Sequence, residues 1–320
     1  MAWLVGLALL ALAGPVQAQA TDLETARTPH YVFEWSPGLA GTARALREQV
    51  EGHHARIYGE LGVEASEPTR VTLLRDEAAM LEEAAARHGG RPPPHWAEGL
   101  AYPATREIFL HAGQAPGALD VTLQHEISHV AVGHFKHAEQ LPTWFMEGLA
   151  IRQSEGFALE RAWLLTEAAT FGNLLGLDEL AQGFPAAGGQ RVGIAYAQSV
   201  HFVGWLQSTH GTPAFQRFLA RAADGMPFSA ALEASFGQTA GELEQAWRRS
   251  LEVFWGWIPI IFGSTTLWAV ATVLLVIGWR RRRRLQLARF ARLQAREAAE
   301  LADDIAVVGR PLPPGDTTIH

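Results

Sequence analysis

Hydrophobic and polar positions change their period several times along this chain. Residues 3–13 are an unbroken apolar run. Tyr31–Trp35 alternates apolar and polar, which predicts a strand. Thr42–Leu61 has helical spacing and stops near Gly62. Arg70–Leu74 predicts a second strand, Glu77–His88 a helix, and Glu107–His111 another strand. Gly89–Pro94, rich in glycine and proline, predicts a loop. Leu119–Val132 is an amphipathic helix, with Val121, Leu123, Ile127 and Val130 on its apolar side, Asp120 in its first turn and Gly133 as its stop. A second helix is expected after Leu141-Pro142, with Thr143 as a candidate N-cap. Helical spacing then continues to about Phe254, with loops expected at 183–193 and near Gly211. From about Trp257 to Trp279 comes a second, longer apolar run.

The order predicts an α+β fold. A small N-terminal mixed sheet packs on the Leu119–Val132 helix, and a mainly helical subdomain follows. No repeat of 20 to 50 residues stands out, so a solenoid is not expected.

The chemistry concentrates on the amphipathic helix, in His125-Glu126-Ile127-Ser128-His129. Residues four apart on a helix lie about 40° apart around the axis, so His125 and His129 share a face and can reach one metal ion. Glu126 lies about 100° from His125, placed for a metal-bound water rather than for the metal. A catalytic zinc site needs a third protein ligand and an open position. Glu147, in Trp144-Phe145-Met146-Glu147-Gly148-Leu149-Ala150, is the best candidate. Gly148 is expected to let that helix approach the metal helix. His134 and His137 also follow the motif, but the metzincin positions hold Val132 and Phe135, and His134 is expected at the surface. Glu98 sits in Trp96-Ala97-Glu98-Gly99-Leu100-Ala101, an echo of 144–150 that we read as coincidence. The plain alternative is a core helix with two satisfied histidines.

The HExxH motif, the 17-residue gap and the Trp-Phe-Met-Glu-Gly-Leu-Ala segment resemble the gluzincin metallopeptidases, in particular the small peptidase-MA-like domains. The resemblance runs over roughly residues 28–252 and takes in Tyr31–Trp35, Ile108–Leu110, Ala195–Ser199 with Phe202–Leu206, and Phe236-Gly237 with Leu243–Trp247. It implies His125, His129 and Glu147 as zinc ligands and Glu126 as general base. Related gluzincins place a tyrosine or histidine to stabilise the oxyanion, which makes Tyr196 the candidate here and His201 a weaker one. An ordinary helix tyrosine with a polar tip is the alternative for Tyr196. The thermolysin-type pattern has Asp four residues after the glutamate ligand; here that position is Ile151. If Glu107–His111 is an edge strand beside the cleft, as in gluzincins, a substrate could add to it as a further strand.

Composition adds compartment and topology. There are no cysteines, which excludes disulfides, thiolate-bound zinc and a thiol nucleophile. The first apolar run, broken at Gly14-Pro15 and followed by Ala18-Gln19-Ala20, predicts a signal peptide over 1–20, although no Lys or Arg precedes it. The run at 257–279 is long enough to span a bilayer, and Arg280–Arg284 follow it directly. By the positive-inside rule the arginines are cytoplasmic. Residues 21–254 then form the extracytoplasmic domain, and 280–320 a basic, partly disordered tail. That tail carries nine Arg and five acids, a net of +4, which leaves −11 for the remainder. An acidic ectodomain argues against nucleic acid as a partner.

The expectation is a single-pass, membrane-anchored zinc metallopeptidase, of endopeptidase kind, acting on peptides or proteins outside the cytoplasm. Two alternatives stand beside it. One is a catalytically silent zinc-binding envelope module, against which an intact Glu126 argues. The other is an intramembrane protease, against which the distance of HExxH from the long apolar run argues. Substrate and oligomeric state are not legible.

Overall fold

The computed structural model describes residues 23–89, 98–115, 117–156, 158–182, 184, 189–255, 268–284 and 286. The expected signal peptide, most of the Gly89–Pro94 loop and the tail beyond 286 lie outside the described residues.

Five strands form one mixed sheet in the order β1-β2-β3-β5-β4. They are β1 (Glu24–Arg27), β2 (Tyr31–Trp35), β3 (Thr69–Leu74), β4 (Gly99–Tyr102) and β5 (Glu107–His111). β2, β3 and β5 run parallel, joined through helices α1 (Ala40–Leu61) and α2 (Glu77–His88). The two outer strands pair antiparallel. Alternation decides the faces. In β4, Leu100 joins the cluster of Leu74, Met80, Ala84 and Phe109 under α2. Its neighbour Gly99 abuts Thr122 and Glu126 of α3 (Ala118–Val132). The metal-motif helix therefore packs on the face opposite α2.

Two expectations change here. Glu107–His111 is an interior strand, flanked by β3 and β4, because a further strand, Gly99–Tyr102, covers it. The edge on the α3 side is β4. Meanwhile α2 crosses its face with a charged layer: Arg87 bonds Glu83 and Glu34, and reaches Glu107 at 3.3 Å.

The remainder is helical: α4 (Thr143–Ser154), α5 (Leu159–Thr170), α6 (Leu177–Ala181), α7 (Gln190–His210), α8 (Thr212–Ala223), α9 (Phe228–Phe236) and α10 (Ala240–Trp255). The N-cap position of α4 is Pro142, and Thr143 is its first residue rather than a side-chain cap. Buried Trp144, Phe145, Phe202, Phe218 and Trp247 knit α4, α7, α8 and α10 together. α7 begins at Gln190, inside the expected 183–193 loop.

Gly148 also differs from expectation. A Cβ there would come within 2.6 Å of the Ser199 carbonyl carbon and 3.0 Å of Val203 Cγ2. The close approach it permits is between α4 and α7, not between α4 and the metal helix.

Residues 23–253 belong to one unit; the chain from Phe254 on is a second. In the second, residues 268–284 are helical, with Val273, Leu274, Leu275 and Ile277 exposed. Among the described residues no helix is long and apolar enough to cross a membrane. Residues 257–267 of the expected span lie outside the described residues.

Candidate metal centre

α3 and α4 bring three donor side chains to one point. His125 and His129 lie one helical turn apart, with their Nε2 atoms 3.1 Å from each other. Glu147 approaches them from α4, with Oε2 3.4 Å from His125 Nε2 and Oε1 3.6 Å from His129 Nε2. Tetrahedral ligands about 2.05 Å from a zinc ion lie about 3.3 Å apart. The triangle of donors has that size, and two imidazoles with one carboxylate suit a zinc ion with one position left open. Among the described residues this is the one such group of three.

Glu126 is 6% exposed and lines the same cleft. It takes part in no hydrogen bond among the described residues. Burial pushes its carboxyl up to about 7, with the His125 charge opposing and the Glu147 charge adding. A buried carboxyl near neutrality can both accept and return a proton.

The two imidazoles divide their roles. Burial holds His129 down at about 4, against the pull of Glu147 and with the help of His125. Burial also works against charge on His125, but the hydrogen bond it donates to Glu147 and the charges of Glu126, Glu147 and Glu155 carry it upward. Burial favours the neutral form of Glu147, yet His129 and His125 together hold its carboxyl below the ordinary range. Nitrogens 3.1 Å apart cannot both carry a proton aimed at each other, so at most one of the two Nε2 atoms donates across this gap.

Behind the motif, polar side chains fix α3 to its neighbours. Ser128 donates to Gln153 of α4 at 2.7 Å, and Gln153 donates to Glu60 of α1 at 3.0 Å. Arg152 pairs with the same Glu60. On the outer turn, Arg56 donates to Gln124, while His53 meets Asp120. The position four residues after Glu147 is Ile151, buried at the cleft wall.

Tyr196 of α7 lines the cleft, with Phe184 edge-on to its ring at 4.6 Å. Burial, then the charges of Glu147 and Glu126, push its phenol well above the usual value. It therefore stays protonated and able to donate. His201 lies elsewhere: its Nδ1 accepts from the Trp247 indole at 2.9 Å, which ties α7 to α10. His134 is half-buried against Tyr58 rather than at the surface, and takes no part in the metal group.

The cleft has a volume of about 990 Å3 and runs from β4 to α5. Its β4 wall, Glu98–Ala101, was not found from sequence as part of the site. Glu98 lines the cleft without joining the three donors, so its echo of 144–150 marks no second ligand. The Glu98 carbonyl accepts from Gln114 at 2.7 Å, and Gln114 in turn accepts from Thr122 of α3 at 2.8 Å. That relay pins the start of β4 to the metal helix.

A profile of the peptidase MA superfamily matches residues 55–253. No curated protein matches the chain by sequence. Among solved structures, yeast LTA4 hydrolase in complex with bestatin is similar at a TM-score of 0.43 and 12% identity, over 71% of this chain and 39% of that one. Native yeast LTA4 hydrolase gives 0.41 and 12% over 71% and 39%. A mutant M1 zinc metallopeptidase from Deinococcus radiodurans gives 0.40 and 17%, over 71% of this chain and 51% of that one. The chain thus spans well under two thirds of the length of these proteins. Its motif helix, its glutamate-bearing helix and the profile match fall on the same stretch, and the chain belongs to the peptidase MA superfamily.

Proposed function

We propose that this chain is a zinc-dependent endopeptidase whose centre is His125, His129, Glu147 and Glu126. The observation that carries the reading is the convergence of the three donors within 4.8 Å of one another, beside a buried, unbonded Glu126. A purely structural site has no use for that carboxyl.

A zinc ion held by His125, His129 and Glu147 would lower the pKa of bound water toward about 7 and polarise the scissile carbonyl. Glu126 takes the proton from the attacking water and delivers it to the departing amine. The Tyr196 phenol donates a hydrogen bond to the oxygen on which negative charge develops. An extended substrate pairs with the outer edge of β4, so backbone groups rather than side chains hold it. The cleft's length from β4 to α5 supports attack within a chain rather than at its end.

We also propose that the peptidase domain is extracytoplasmic, led out by a signal peptide over 1–20 and anchored by a span over 257–279. The apolar runs and the five arginines at 280–284 support this placement.

The test is cleavage of a peptide library by the full-length, zinc-loaded protein, with Glu126→Gln protein alongside. Cleavage by the wild type alone is expected. Equal cleavage by both, or none by a zinc-loaded wild type, overturns the reading.

A further inference from the structure

The cleft carries more charge than the proposed centre uses. Among the described residues Glu98, Glu126, Glu147, Glu155 and Glu160 line it, together with one guanidinium, that of Arg161. Glu147 is committed to the metal and Glu126 to the proton transfer. Arg161 is held at both terminal nitrogens by the Glu155 carboxylate, at 2.7 and 3.1 Å. Such a fork-on-carboxylate pair neutralises the Arg161 cation and holds it in place.

Two carboxylates are left over. Glu98 stands just before β4, and Glu160 in the first turn of α5. Both are exposed, and neither has an ion-pair partner among the described residues. They belong to different walls of a cleft that already shows where a ligand sits: the three metal donors converge in it, and buried Glu126 lines it beside them. A concave site with low-dielectric walls focuses such residual charge on whatever enters.

We propose that this cleft selects cationic peptides, with Glu98 and Glu160 as specificity-determining residues that receive lysine or arginine side chains on either side of the bond to be cut. The inference rests on the peptidase reading above, and names its substrate class. The same carboxylates reject acidic peptides by repulsion, which discriminates as effectively as attraction does.

The experiment uses the full-length, zinc-loaded protein and matched peptide series that differ only in having Lys, Gln or Glu beside the central bond. Cleavage is followed in the wild type. Binding is followed separately in Glu126→Gln protein, by the anisotropy of labelled peptides. Lys peptides are expected to be preferred over Gln, and Gln over Glu, with a preference that shrinks at high ionic strength. Glu98→Gln and Glu160→Gln should each reduce it about two- to fivefold, the range of exposed ion pairs. Arg161→Gln frees Glu155 and should increase it, a gain that misfolding cannot imitate. Binding without charge preference, or a preference that neither glutamate substitution changes, overturns the proposal. Cleavage without charge preference also overturns it, and leaves the peptidase reading standing. Charge-selective binding with no wild-type cleavage sustains the selectivity of the cleft and overturns the peptidase reading instead.

Discussion

Gly99 of β4 lies directly against Glu126 of α3: a Cβ at position 99 would come within 2.9 Å of Glu126 Oε1 and 2.7 Å of Thr122 Cγ2. The strand proposed to receive substrate and the carboxyl proposed to move protons are thus in van der Waals contact. Gly99→Ala should push one from the other. Zinc content is expected to remain near one per chain, while kcat/KM falls about a hundredfold, the usual cost of misplacing a reacting group by about 1 Å. Steady-state kinetics with metal analysis on the same sample checks both halves.

Glu126→Gln keeps the shape of the side chain and removes the base. Metal binding should survive, since Glu126 is not among the three converging donors. Turnover should fall by about 10²–10⁴, the range for a lost general acid–base. His129→Ala should instead lose the metal along with the activity. A variant at 126 that lost its zinc would place that residue in the coordination shell.

Gly148→Ala tests the packing of α4 on α7. The added methyl meets the backbone of Ser199, which has no rotamer to yield. Overpacking of this kind costs about 1–3 kcal/mol. Because Glu147 is the adjacent residue, zinc affinity should fall together with the denaturation midpoint. Chemical denaturation with and without a chelator separates the two effects: a loss of stability that persists without metal belongs to the helix pair.

Acid should weaken the α7–α10 contact through His201. Burial holds its pKa down at about 4 in the folded chain, against an ordinary 6.5. The unfolded chain therefore takes up the proton first as pH falls. The stability tied to the neutral ring is complete above pH 6.5 and is lost progressively toward pH 4, by up to about 3 kcal/mol. Protonation at Nδ1 also removes the acceptor of the Trp247 indole. His201→Gln, which does not titrate, should flatten stability between those two pH values. An unchanged slope in urea unfolding across that window would assign the acid sensitivity to other groups.

The parts of the site visible in the sequence are those that local periodicity encodes. The helix spacing of His125 and His129, the apolar side of their helix, and the glutamate in its own helical segment all depend on residues a few positions apart. β2, β3 and β5 were legible for the same reason. β4 was not: all four of its residues are half-buried, so it shows no alternation, and it follows a proline-rich stretch. Missing it made β5 look like an edge. The partner of Gly148 and the Ser128–Gln153–Glu60 link were equally hidden, because both depend on how distant helices meet. A glycine in a helix announces a close neighbour without naming it.

An open strand edge invites pairing with any extended chain, including another copy of the same protein. β4 offers only four residues, preceded by the carboxylate of Glu98 and followed by Pro103, which has no amide hydrogen to give. The edge proposed to take substrate is too short, too charged and too abruptly ended to nucleate a growing sheet. The outer strand at the other end, β1, reads Glu-Thr-Ala-Arg and is similarly brief and charged. The sheet can therefore keep one side available for traffic without becoming a seed for aggregation.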